Sequence, residues 1–284
     1  MDQLKKGLSL SKQAKVIAKV FMFFGLTMGT HVFVYTKSAC IIIHGTWAKD
    51  CAWYLPEGNF YEPVKSTIQE LRLVDEMVSF RWSGLLGDLA HQEAAENLAK
   101  TILNYESVIL IAHSHGATVG IIASMMLGSK NSERKFSGKI KKFYALGVPV
   151  DSTRIVYPDM SVIDKFYNFF SFGDLVQRVH GLYDRCFATH ARITNIAVLL
   201  HGLHPSHSDL HDREVGQHLL KIPDYFQQRV VGNFAKYCDG QPAEISFCAG
   251  KLPVYGLQSN QEKLLELDQL SFELAQKAFF RGQK

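Results

Sequence analysis

An α/β domain, with a mostly parallel sheet covered by helices on both faces, is predicted from three features of the 284-residue sequence. Short apolar runs rich in β-branched residues alternate with longer stretches of helical periodicity, as parallel strands joined by crossover helices do. The run Ser107 to Ala112 stops at a small residue and leads through His113-Ser114-His115-Gly116 into a second apolar run, Val119 to Leu127, long enough for a buried helix. Strand, tight turn, serine and helix in that order lift one hydroxyl above the edge of a parallel sheet. The chain is also long enough to bury a sizeable core, so one compact domain with short appendages is expected.

The elements follow in order. Lys5, Lys6, Lys12, Lys15 and Lys19 precede Val20 to Tyr35, a run without charge that Lys37 closes. A basic segment followed by an apolar one predicts a signal anchor or membrane-associated helix over residues 20–35, in a membrane-bound or exported protein. The run is short for a span and is diluted by Thr27, Thr30 and His31. A helix packed on the domain, in a cytoplasmic protein, is therefore the alternative. Ala39 to Ile43 reads as a buried parallel strand, which needs no polar alternation. An aromatic-rich loop from Trp47 to Tyr61 precedes a helix that Pro63 opens and that runs through Leu73. Met77 to Trp82 is the next strand. Ala94, Ala95, Leu98, Ala99, Ile102 and Leu103 recur at helical spacing and predict a helix over Gly87 to Asn104.

Beyond the serine and its helix, the polar stretch Ser129 to Lys139 reads as a surface loop. Strands are expected over Phe143 to Val150, with Pro149 near its end, then Phe166 to Phe172, and lastly Ile193 to Leu200. The connection from Val150 to Lys165 is too short for a large cap domain. Glu214 to Val231 reads as a helix interrupted near Pro223, and Gly232 to Ser259 as irregular. A terminal helix carries Leu264, Leu267, Leu270, Leu274 and Ala278 on one side. The expected organisation is a basic and hydrophobic N-terminus over 1–37, the α/β domain over 38–258, and a C-terminal amphipathic helix over 259–284.

Composition excludes some functions. A net charge of +4 without a long basic run is a poor footprint for nucleic acid. The five cysteines (Cys40, Cys51, Cys186, Cys238 and Cys248) form no CxxC pair, so folding does not require disulfides. A Cys238–Cys248 bridge would suit an exported chain, and five reduced thiols are the alternative.

A serine hydroxyl attacks a carbonyl when a base takes its proton, and the base works best when a carboxylate orients it. Ser114 is the candidate nucleophile, with small residues Ala112 and Gly116 two places to either side. Asp174 follows a strand and Gly173, where a short carboxylate can project from a turn; Asp151 and Asp164 are alternatives. His207 lies in the loop after the last expected strand and competes with His201, His204 and His211. The order is Ser, Asp, His, each at a strand end. C-terminal strand ends line one edge of a parallel sheet, so the three can converge. His44 reads as a structural residue of its turn, and the side chains of His113 and His115 are expected to point away from the nucleophile. Trp47, Trp53 and Phe60 are candidates to wall an acyl pocket, or else to tuck onto the core.

Metal hydrolysis is the rival chemistry, because the chain has 12 histidines and His113-Ser114-His115 places two around one residue. Zinc hydrolases that use such a motif continue with Asp and His, where this chain has Ala117 and Thr118. No HExxH frame is present either, so no metal or other cofactor is expected.

The motifs His44-Gly45-Thr46, Ala112-His113-Ser114-His115-Gly116, Ser171-Phe172-Gly173-Asp174 and His207-Ser208 resemble those of α/β-hydrolases of the lipase and esterase type, over roughly residues 38 to 231. The resemblance implies backbone N–H donors to an oxyanion at Thr46 and His115. It also implies a serine hydrolase that acts on a small-molecule or lipid ester. Two departures stand out: Ala112 replaces the usual glycine, and little chain precedes the first motif strand, so the family's leading strands are not expected. A thioesterase or amidase would use the same groups. A hydrolase fold kept as a binding or membrane-tethered interaction module is the non-enzymatic alternative. The oligomeric state is left open.

Overall fold

The computed structural model describes residues 37–129, 136–151, 157–179, 183–187, 190–201, 203–221, 243–247 and 254–257. In chain order these form β1 (Ser38–Ile43), α1 (Tyr61–Leu71), β2 (Glu76–Phe80), α2 (Asp88–Leu103), β3 (Ser107–His113), α3 (His115–Ser129), β4 (Ile140–Leu146), β5 (Val150–Asp151) and β6 (Ile163–Phe170). After these come α4 (Val176–Val179), β7 (Tyr183–Asp184), β8 (Ile193–Leu200), α5 (Arg213–His218), β9 (Ala243–Phe247) and β10 (Val254–Leu257).

An eight-stranded sheet runs in the order β10-β9-β8-β6-β4-β3-β1-β2. All neighbours in it pair in parallel except β9 and β10. This is the expected mostly parallel α/β architecture. Among the described residues, the crossover between β4 and β6 holds only the short β5, which pairs with β7. No described strand lies beyond β2.

Alternation along the strands sends side chains to two separate cores. Ile41, Ile43, Leu110, Phe143 and Phe166 face one side and pack with Leu98 and Ile102 of α2 and Ile121 and Leu127 of α3. Cys40, Ile42, Ile111, Tyr144 and Phe169 face the other side and pack with Val64 and Ile68 of α1 and Val215 of α5. Burial on both faces explains why the central strands read as unbroken apolar runs. It also pushes the thiol pKa of Cys40 up. Helix α3 is buried nearly all round, and the absence of a side chain at Gly120 lets it approach the Phe143 ring.

Three strand ends differ from expectation, each at a turn. Strand β4 stops at Leu146 because Gly147 turns the chain at a φ of +62°. Strand β6 spans Ile163–Phe170 and ends before Ser171, whose side chain bonds the turn that follows. Strand β2 ends at Phe80, and Trp82 turns to the β1 loop instead. A larger correction concerns Ile193–Leu200, which is not the last strand: β9 adds to it in parallel and β10 closes that edge. The run Ala243–Phe247 alternates apolar and polar residues and lies between Pro242 and Pro253, so it lacks the continuous apolar signal of the inner strands. Helix α5 gives way to a 3₁₀ turn at Leu219–Lys221. The rest of the helix expected to reach Val231, the N-terminal segment 1–36 and the terminal helix lie outside the described residues. Among those described, no helix is long and apolar enough to cross a membrane.

A Cβ on Gly120 would lie 2.5 Å from Phe143 Cζ, so the fully buried ring would have to shift. Gly120→Val is therefore expected to lower unfolding stability by about 1–3 kcal/mol through overpacking. The shift in the urea unfolding midpoint at unchanged slope measures it.

Candidate active site

The serine turn is built by close backbone packing. Ser114 directly follows β3 and takes a left-handed φ of +55°, a conformation that non-glycine residues rarely hold unless their surroundings impose it. Its N–H donates to Leu146 O at 2.8 Å, and its carbonyl accepts from Ala117 N at 2.9 Å. The β1 loop passes so close that a Cβ on Gly45 would lie 2.8 Å from Ser114 Cβ. A Cβ on Gly116 would lie 2.3 Å from His44 O. These contacts are the physical reason for the small residues in His44-Gly45 and around the serine.

The β1 loop is itself held from within. His44 is fully buried, its Nδ1 donates to Gly45 O at 2.7 Å, and its Nε2 accepts from Trp82 N at 3.3 Å. Burial lowers its pKa, in keeping with this neutral tautomer. The Trp82 indole donates to His44 O at 2.8 Å, and Trp47 N donates to Gly84 O at 2.9 Å. His44 is thus structural, as expected. Thr46 and His115 come together: Thr46 Oγ1 and His115 Nδ1 are hydrogen-bonded at 2.8 Å. His115 also opens α3, where the helix dipole favours negative charge.

Two further loops meet beside the turn. Asp174 is fully buried; its Oδ2 accepts from His207 Nδ1 at 2.7 Å and its Oδ1 from Gln177 N at 3.1 Å. The Gln177 side chain donates to Val148 O at 2.7 Å, which ties the acid loop to the chain leaving β4. Ser171 Oγ accepts from Gly173 N and donates to Pro205 O at 2.5 Å, so the acid loop and the histidine loop are bonded directly. A Cβ on Gly147 would stand 3.1 Å from Asp174 Oδ2 and 3.2 Å from His207 Nδ1, so any side chain here would crowd the pair. No hydrogen bond joins Ser114 Oγ to His207 in the structure. Such contacts often form only once substrate is bound.

The alternative acids and bases are engaged elsewhere. Asp164 forms an ion pair with Lys141 at 3.2 Å at the opposite end of the sheet, and the backbone of Asp151 belongs to the small two-stranded sheet. His201 Nε2 lies 3.2 Å from Glu214, and His204 packs edge-on against Phe172. His211 stacks on Trp53 at 4.2 Å between ring centroids. Among the described residues, no three His, Cys, Asp or Glu side chains are grouped to hold a metal ion.

Two of the pocket expectations need correction. Phe60 is fully buried and Trp53 only 7% exposed, so both are core residues that support the histidine loop rather than walls of an open pocket. Trp47 is 77% exposed, at a φ of +56° beside the serine turn. The His113 side chain packs against the histidine loop. It donates from Nε2 to His207 O at 2.9 Å. Strand alternation places it on the face of Ile109 and Ile111, and the histidine loop covers that same face. The period-2 pattern could have revealed this. Trp82, Gly147 and Gln177 are the other supports the sequence did not single out, and Ser171 stood in its motif without a role, because each acts through a contact across the chain.

The strand order, the left-handed serine turn, the braced β1 loop and the meeting of Asp174 with His207 define the α/β-hydrolase fold. No family model matches the chain, and no curated protein matches it. Among solved structures it is similar, at 13% identity and a TM-score of 0.42, to a protein of Xanthomonas campestris pv. campestris provisionally described as a hydrolase of the alpha/beta superfamily. That match covers 67% of this chain and 96% of the other. It is also similar to RedJ, in a structure with a PEG molecule bound in the active site, at 12% identity and a TM-score of 0.30. There 58% of this chain and 68% of the other are covered.

Burial pushes the His211 pKa down to about 4 and that of His113 well below its usual value. Both histidines are thus neutral when folded, whereas a histidine in the unfolded chain takes up a proton near pH 6.5. Their stabilisation is full above pH 6.5 and is lost as pH falls from there toward about 4 for His211. The melting temperature is expected to drop over that range. The drop should be shallower in His211→Phe, which keeps a ring on Trp53. Thermal melts between pH 7.5 and 4.5 check this.

Proposed function

We propose that the protein is a serine hydrolase that cleaves a carboxylic ester with a hydrophobic acyl group. The observation that carries this reading is the 2.7 Å hydrogen bond between buried Asp174 and His207, set beside a serine in a left-handed turn. In the proposed mechanism Ser114 Oγ attacks the ester carbonyl while His207 Nε2 takes its proton. Asp174 holds the imidazole by Nδ1 and stabilises its charged form. The N–H groups of Thr46 and His115 receive the oxyanion; one such donor contributes roughly 3–4 kcal/mol to the transition state. The hydrogen bond between the two side chains keeps these donors in register. Collapse of the tetrahedral intermediate passes the proton from His207 to the leaving alcohol and leaves an acyl group on Ser114. Water, deprotonated by His207, then releases the acid by the same route.

Exposed apolar side chains support a hydrophobic ester as substrate. Trp47, Leu85 and Leu86 all lie in the two loops joined by the Trp47–Gly84 bond, next to the proposed oxyanion donors. The lysines and apolar run ahead of Lys37 support a membrane-proximal setting.

Hydrolysis of p-nitrophenyl esters from acetate to decanoate tests the reading. The rate is expected to rise from the shortest chains to the middle ones. It should fall by about 10⁴-fold or more in Ser114→Ala. In Asp174→Asn, where the amide holds the imidazole in the wrong tautomer, a loss of about the same order is expected. No turnover of any ester by folded wild-type protein, or full activity in Ser114→Ala, would overturn it.

A further inference from the structure

The Asp174 bond fixes one nitrogen of the His207 ring but not the backbone from which the ring hangs. A ring held only at Nδ1 can pivot about that bond, and its Nε2 then sweeps past the nucleophile. A second anchor is present on the same residue. His113 Nε2 lies 2.9 Å from the carbonyl oxygen of His207. A carbonyl can only accept, so His113 must carry its proton on Nε2. The two rings pack 4.5 Å apart, and the His113 ring also meets His211 edge-on at 4.7 Å and Trp53 at 5.7 Å. His113 is 5% exposed. Desolvation, with His207 and His211 close by, holds it in the neutral form that this single-donor role requires.

We infer that His113 is a positioning residue that clamps the backbone of His207 to the end of the strand that delivers Ser114. The inference rests on the proposed hydrolase reading and adds to it. His113 directly precedes Ser114, so nucleophile and base are referenced to one rigid strand end. A displacement of the base has only one short path by which to arise. The clamp acts through a donor, whereas a residue that merely filled the core would act through its ring alone.

The experiment compares labelling of Ser114 by a fluorophosphonate in wild type, His113→Phe and His113→Gln. Phenylalanine keeps the ring without a donor, and glutamine carries an amide N–H of similar reach. The second-order labelling constant is expected to fall about tenfold to a hundredfold in His113→Phe, the range a small misplacement produces. It should recover to within about threefold of wild type in His113→Gln, because the donor is restored. Ester turnover should show the loss in kcat, with KM unchanged. Labelling of His113→Phe at the wild-type rate, or an equal loss in both variants, overturns the inference while leaving the hydrolase reading standing. If folded wild type is not labelled, the hydrolase reading falls and the clamp with it. Should His113→Phe not fold, His113→Asn takes its place. Its amide is too short to reach the His207 carbonyl, so the same loss is expected, and wild-type labelling of that variant overturns the clamp.

Discussion

The hydrogen bond between Asp174 and His207 is the contact on which the rest of the site depends. A fully buried carboxyl group without partners would cost the fold several kcal/mol. Here both oxygens are met, Oδ2 by His207 and Oδ1 by the backbone of Gln177. Satisfying them requires two loops, one after β6 and one after β8, to hold a fixed separation. The Ser171–Pro205 bond and the bare backbone of Gly147 set that separation. The histidine loop then has little freedom left. The stack of His211 on Trp53 and the bond from His113 remove most of what there is.

The same logic of close approach shapes the serine turn. Ser114 holds a strained backbone because its N–H is committed to Leu146 and because Gly45 and Gly116 let the β1 loop lie directly against it. Strain at one residue survives only where its neighbours over-determine it. The sheet supplies that rigidity: β3 lies between β1 and β4, and its residues are buried on both faces. The turn, the β1 loop and the Asp174–His207 pair therefore all stand on the strands β1, β3, β4, β6 and β8.

Most of this frame was legible in the sequence, for identifiable reasons. Parallel strands buried on both faces leave continuous apolar runs, so β1 and β3 were found nearly to the residue. The serine turn announces itself by small residues at fixed spacing. Asp174 and His207 could be proposed because both follow apolar strands, although three other histidines compete in the same loop. What escaped was of two kinds. Strands β9 and β10 are short, and β9 alternates in polarity, so neither carries the signal of the inner sheet. The supports of the site, Trp82, Gly147, Ser171 and Gln177, act across loops that only the folded chain brings together. Trp53 and Phe60 show the reverse error: aromatic residues in a loop looked like pocket walls, and the fold uses them as the floor under the histidine loop.

On the proposed reading Ser114 and the His207–Asp174 pair act as one catalytic unit, although no hydrogen bond links the serine to the imidazole in this structure. A double-mutant cycle on ester hydrolysis tests it most directly, with Ser114→Ala, His207→Ala and the two combined. Groups that work as a unit lose their effect together. The double variant is expected to be no slower than the slower single variant. Losses that multiply, with the double variant slower by the product of the two, would contradict it.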